Sequence, residues 1–147
     1  MKTIKDYFDI RELVCKDVYK RFGQKAWEFL DYRLLSNLFI IRDKLGLPIY
    51  VNNWHTGGNL SERGLRCNLC KTTKAYTDNG NPYVSAHLQG KAIDFNVKGQ
   101  TPDETRKWLM NNAHILPFAI RIEDATPTWV HLDVRNDSGN KVIVFKV

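Results

Sequence analysis

Apolar positions recur at helical spacing over the first third of the chain. Between Asp9 and Phe22, the residues Ile10, Leu13, Val14, Val18 and Phe22 share a face, and Gly23 stops the run. A longer stripe occupies Gln24 to Leu45, carried by Trp27, Leu30, Leu34, Leu38, Ile41 and Leu45, with Gly46 and Pro48 as end signals. Two scaffold helices are expected here. The period then changes. Pro48–Trp54 (PIYVNNW) is rich in strand formers, and the stretch from 55 to 82 is heavy in Gly, Asn and Thr and sustains no period. Irregular segments of that length are uncommon inside a compact domain unless they are functional or disordered. This one leads straight into SAHLQGKAIDF at 85–95, so it is expected to wall a site.

Strand periodicity dominates the second half. In Lys91–Val97, alternation puts Ile93, Phe95 and Val97 in the core and Ala92, Asp94 and Asn96 on the other face. Thr101 as N-cap, Pro102 in the first turn and Glu104 in capping-box position start a crossover helix that runs to about Asn112 and carries Trp108 and Leu109. Phe118–Glu123 alternates again, with Phe118, Ile120 and Ile122 opposite Ala119, Arg121 and Glu123. Thr128–Val134 sets Val130, Leu132 and Val134 inward against Trp129, His131 and Asp133. A turn at Asn136–Asn140 leads to a last strand, KVIVFKV. With no repeat, linker or low-complexity segment, residues 1–147 are expected to form a single α+β domain. An antiparallel sheet would carry helices on one face and Asp94, Glu123 and His131 on the other.

Composition supports one domain: 147 residues that are 43% hydrophobic suffice for one packed core and are too few for two. The net charge of +6 favours a polyanionic partner such as cell-wall polymer, nucleic acid or anionic membrane. The basic residues are scattered and no nucleic-acid motif accompanies them, so nucleic acid ranks last. No apolar run reaches membrane-span length, and MKTIKDYFDIRELV is broken by charges where a signal peptide needs an apolar core. Synthesis in the cytoplasm without stable membrane insertion is expected, with a monomer as the expected state. Cys15, Cys67 and Cys70 are an odd set, not a secreted disulfide framework. The C-x-x-C at 67–70 lacks a second pair and a βαβ setting, which leaves reduced thiols packing the loop as the preferred reading.

His87 and Asp94 lie seven residues apart across Gly90, and His131 follows in a strand. Two imidazoles and a carboxylate are a plausible set of protein ligands for a catalytic zinc, which leaves a fourth position for water and lowers that water's pKa. Gly90 lets the backbone turn between the ligands, Ser85 can hydrogen-bond locally to fix the loop, and Trp129 can pack over the site. His55 and His114 lack such neighbours and read as ordinary surface or hydrogen-bonded histidines.

SAHLQGKAIDF also resembles the S-x-H-x-x-G-x-A-x-D motif of the zinc D-alanyl-D-alanine peptidase family, and WVHLDV resembles its W-x-H segment. That family includes cell-wall carboxypeptidases and phage L-alanyl-D-glutamate endopeptidases, and shares its fold with the Hedgehog signalling domain. The likeness spans roughly Pro48 to Val134, and NNWHTGGNLSERGLR is similar to an upstream segment carrying a G-x-R element. The resemblance implies a Hedgehog/DD-peptidase-like fold, zinc held by His87, Asp94 and His131, and Arg66 gripping a carboxylate or carbonyl of a peptidoglycan peptide. Arg63 is the weaker alternative, and a solvated loop charge is the bland one.

One position departs from the family. Many relatives carry an acid three residues before the last histidine ligand, where this chain has Thr128. A threonine hydroxyl cannot serve as general base near neutral pH. Glu123 is the best substitute because alternation turns it to His131's face; Asp124 is its neighbour, and Asp133 is either a base or the partner that orients an imidazole. The expectation is therefore a phage endolysin-like zinc peptidase cutting stem peptides, either endopeptidase or carboxypeptidase. Such an enzyme would reach the wall through a phage-made pore or in the virion. Thr128 favours the alternative, a non-catalytic metal-binding homologue acting as a phage structural or wall-binding module.

Overall fold

The computed structural model describes residues 1–147. Its architecture is α+β, with five strands, five α-helices and short 3-10 turns. The first apolar stripe makes two helices where one was expected, α1 (Ile10–Leu13) and α2 (Lys16–Phe22). Asp9 starts α1 with a capping box to Glu12, but Val14 is extended and pairs with Leu65, so the helix restarts only after Cys15. The second stripe is broken likewise: a 3-10 segment covers Gly23–Phe29, and α3 (Tyr32–Leu45) begins after Asp31. Asp31 caps α3 with its side chain, while its backbone N–H donates to the Gly90 carbonyl at 2.9 Å. In both cases a long-range backbone bond outbids helix continuation, while Leu30, Leu34, Leu38 and Ile41 stay buried as the stripe requires.

The stretch from 55 to 82 is less irregular than its composition indicates, because α4 spans Lys71–Asp78. Its KTTKAYTD sequence has almost no apolar period, and the helix is held instead at its start. The Glu62 carboxylate accepts from the backbone N–H groups of Lys71 and Thr72, at 3.2 and 3.0 Å. The capping box at Thr101 and Glu104 forms as expected and opens α5 (Pro102–Asn112).

The strands are β1 (Ile49–Tyr50), β2 (Ala92–Val97), β3 (Ile120–Glu123), β4 (Val130–Asp133) and β5 (Val142–Phe145), in sheet order β1-β2-β4-β3-β5. The sheet is mixed, which corrects the antiparallel expectation: β5 pairs with β3 in parallel. Both edges of β4 are taken by β2 and β3. A chain returning from β4 runs antiparallel to β4, hence parallel to β3, and β3 holds the free edge. Ile93, Phe95, Val97, Ile120, Ile122, Val130 and Leu132 share one core cluster with Leu34, Leu38, Ile41 and Leu109. The opposite face carries the polar partners of the same alternation.

Candidate functional site

Register sets the first part of the site. In the antiparallel pair β2 and β4, Asp94 lies directly across from His131; in β3 and β4, Arg121 lies across from Asp133. Since alternate side chains share a face, these four polar groups form a block on the side away from the core. Asp94 Oδ1 is 2.9 Å from His131 Nδ1, and Asp133 Oδ2 is 2.9 Å from His131 Nε2. Arg121 closes the block, donating through Nε and Nη2 to both oxygens of Asp133 at 2.8 and 2.9 Å.

His87 comes from the loop before β2. The Ser85 hydroxyl accepts the His87 backbone N–H at 3.1 Å, which is the local fixing role expected of it. Gly90, at φ 68°, then turns the chain, and a Cβ there would sit 2.0 Å from the Phe29 carbonyl oxygen. Only glycine satisfies both the backbone angle and this close approach. The His87 ring places Nδ1 2.9 Å from the Gly64 carbonyl and Nε2 3.3 Å from Asp94 Oδ2.

The three groups are almost sealed from solvent and their ligand atoms lie within 4.8 Å of one another. Each imidazole has its far nitrogen against an oxygen acceptor, Gly64 O for His87 and Asp133 for His131, which places an N–H there. The remaining nitrogens, Nε2 of His87 and Nδ1 of His131, then present lone pairs toward the Asp94 carboxylate. Two lone pairs converging on an anion need a cation among them, either a proton or a metal ion. Donor separations of 3.3 and 2.9 Å are close to the roughly 3.3 Å that tetrahedral N/O ligation implies. His87, Asp94 and His131 therefore fit a metal ion, with acceptors behind both rings to fix tautomer and orientation.

The charges follow from this packing. Burial would raise the Asp94 carboxyl, but hydrogen bonds from His131 and His87 outweigh it and hold it well below the ordinary carboxylate range. Burial would lower His131, yet Asp133 and Asp94 on either side push it up to about 9. Asp133, against its own burial, is held down to about 2 by His131 and Arg121.

An open cleft of about 450 Å³ lies over this cluster and is lined by Arg66, Glu123 and Trp129 among others. Arg66 is no solvated loop charge. It donates through Nε to Glu62 O at 2.6 Å, through Nη1 to the Tyr83 hydroxyl at 2.7 Å, and through Nη2 to Asp94 Oδ2 at 3.4 Å. Three of the five N–H groups of its fork are engaged and two remain. Arg63, by contrast, donates through Nη2 to Asn96 Oδ1 at 2.6 Å and lines a neighbouring cleft of about 490 Å³ instead of this one. Trp129 and Asp94 border both clefts.

The acids separate cleanly. Glu123 lines the main cleft on His131's face, as alternation predicted. Asp124 does not join it: it is exposed and faces Lys146 at 3.7 Å, which corrects its candidacy as base. Asp133 is saturated by His131, Arg121 and the Arg135 N–H, which makes it the partner that orients an imidazole and removes it as a base. Thr128 is exposed, lines the second cleft, and accepts from Asn96 Nδ2 through its carbonyl at 2.7 Å. Sequence reasoning missed Arg121, although the alternation that selected Glu123 put it on the same face. It also missed the stacked pair Tyr76 and Tyr83, which had no period to reveal them. Compared with family models, curated proteins and solved structures, the chain gives no match.

Proposed function

We propose that this protein is a zinc-dependent peptidase that hydrolyses peptidoglycan stem peptides, with a Hedgehog/DD-peptidase-like fold. The observation that carries the reading is the convergence of His87, Asp94 and His131, with both far ring nitrogens anchored, beneath a cleft lined by Glu123 and Arg66. The motif resemblance assigns the three ligands and the substrate clamp Arg66, while strand alternation selects Glu123 as the base.

Zinc held by these three residues would supply Lewis acidity toward the scissile carbonyl and a lowered pKa for the attacking water. Glu123 takes the proton of that water and returns it to the leaving amine, in place of the acid absent at Thr128. Arg66 uses its two remaining N–H groups to hold a carboxylate or carbonyl of the peptide, while Tyr83 and the Glu62 carbonyl keep its plane fixed. Asp133, itself clamped by Arg121, keeps the His131 ring from rotating. The net positive charge suits an anionic wall. No helix is long and apolar enough to cross a membrane. A phage lysis enzyme or virion component is the setting that best matches the motifs.

The test is incubation of the purified protein with peptidoglycan, with and without a chelator, followed by mass analysis of released peptides. Chelator-sensitive release of fragments cut at L-alanyl-D-glutamate or terminal D-alanine bonds is expected. The second reading, a metal-binding wall or virion module without activity, is favoured by Thr128 alone. Bound zinc with no cleavage of any stem-peptide bond would select it.

A further inference from the structure

We infer that Cys15, Cys67 and Cys70 form a second metal site, a three-thiolate structural site for zinc, separate from the histidine cluster. The C-x-x-C pair lacked a partner in sequence, but the break between α1 and α2 delivers Cys15 to it. All three sulfurs lie within 4.8 Å of one another, and Cys15 Sγ is 3.5 Å from Cys67 Sγ. Thiolates at about 2.3 Å from a tetrahedral ion stand roughly 3.8 Å apart, a value between the 3.5 Å of the Cys15–Cys67 pair and the 4.8 Å that bounds the set.

The sulfurs also have the surroundings that thiolates need. The Cys67 backbone N–H points at Cys70 Sγ and the Leu69 N–H at Cys67 Sγ, both at 3.4 Å. Amide donors aimed at sulfur offset the negative charge of a ligating thiolate. Packing alone does not require this arrangement: apolar contact would not direct amides at sulfur or leave Cys67 half-exposed. The three cysteines are free thiols. A cleft of about 280 Å³ bordered by Cys15, Cys70 and Asp17 gives a fourth ligand, water or the Asp17 carboxylate, a way in. Glu62 borders the same cleft, but its carboxylate is committed to the start of α4.

The position explains what such an ion would do. Cys15 N–H donates to Leu65 O at 2.9 Å, and Leu65 N–H to Leu13 O at 2.9 Å. Between these bonds and the site lies Gly64, so tightly set that an added Cβ would stand 2.1 Å from Leu13 O. Its carbonyl anchors His87, and two residues further on is Arg66, whose N–H bonds His87 O at 3.1 Å. An ion on the three sulfurs would lock the segment that orients both His87 and Arg66.

This site stands whether or not the protein is a peptidase, and the test separates the two. Full-length protein and its His87→Ala variant are produced in zinc-containing medium, dialysed, and assayed for zinc per chain. The wild type is expected to hold two ions and His87→Ala one, with Cys70→Ser removing one from the wild-type count. Should either variant fail to fold, cobalt substitution of the wild type decides: a thiolate-to-cobalt charge-transfer band supports the site. A folded His87→Ala protein without zinc, a cobalt protein lacking that band, or a wild-type mass short by the two hydrogens of a disulfide would each overturn it.

Discussion

Asp94 and His131 face each other across β2 and β4, carboxylate oxygen to ring nitrogen at 2.9 Å, although 37 residues separate them. The pairing follows from strand register, and it orients the whole site. The other side of His131 is held by Asp133 and the other oxygen of Asp94 faces His87, so each group is fixed by the next. Together the two rings and the carboxylate form a group that could hold a metal ion.

Replacing Asp94 by Asn keeps the shape but removes the charge, leaving two imidazoles to hold an ion alone. Asp94→Asn is expected to lose zinc from this site and to lower peptide release about a thousandfold, roughly 4 kcal/mol of transition-state stabilisation. Metal content and cleavage rate, measured on the same preparation, check this.

Glu123 touches neither His131 nor Asp94 in the hydrogen-bond network, so its role is separable from theirs. Glu123→Gln is expected to retain zinc and KM while kcat falls about 100- to 10,000-fold, the range for removal of a general base. Full activity in this variant would move the base elsewhere.

Arg66 divides its fork between the protein and the cleft. Arg66→Lys keeps a charge but cannot hold Glu62 O, Tyr83 and a substrate group in one plane. KM is expected to rise tenfold or more, equivalent to about 1.4 kcal/mol, with zinc content unchanged. Steady-state kinetics on a defined stem peptide give the answer.

Much of this was legible in the chain because alternation is a local signal. The period of two in β2, β3 and β4 put Asp94, Glu123 and His131 on one face before any pairing was known, and the 85–95 loop announced itself by Ser85, His87 and Gly90. What stayed hidden depended on distant partners. Val14 leaves its helix because Leu65 offers a strand-like bond, Cys15 meets Cys67 across 52 residues, and α4 is capped by Glu62. The parallel β5 was equally invisible, since nothing in KVIVFKV says which edge is open.

Gly90 gives a stability test independent of any chemistry. A methyl group there meets the Phe29 carbonyl, and the backbone angle is one that alanine adopts only at a cost of about 1–2 kcal/mol. With steric displacement added, Gly90→Ala is expected to lose at least about 2 kcal/mol in denaturant unfolding. A loss below 0.5 kcal/mol, within the scatter of roughly that size for surface substitutions, would mean that the Phe29–Gly90 contact is not made.

Protonation of His131 predicts how the protein behaves when its metal is stripped. In chelator, Asp133 and Asp94 raise this imidazole from an ordinary 6.5 to about 9, so the folded chain holds the proton more tightly than the unfolded one. The stability this provides is complete below pH 6.5 and disappears as pH climbs through 9; its ceiling is about 3 kcal/mol for the side chain, which is nearly sealed. Asp133 acts with the opposite sign: lowered from 3.8 to about 2, it contributes above pH 3.8 and stops contributing as pH falls through 2. Chelated protein should therefore show a melting temperature that declines steadily from pH 6.5 to 9. Zinc-loaded protein should lack that decline, because the ion occupies the place of the proton and the two compete. Thermal melts at matched ionic strength distinguish the two, and a flat profile in chelator would mean that His131 carries no extra proton between its two carboxylates.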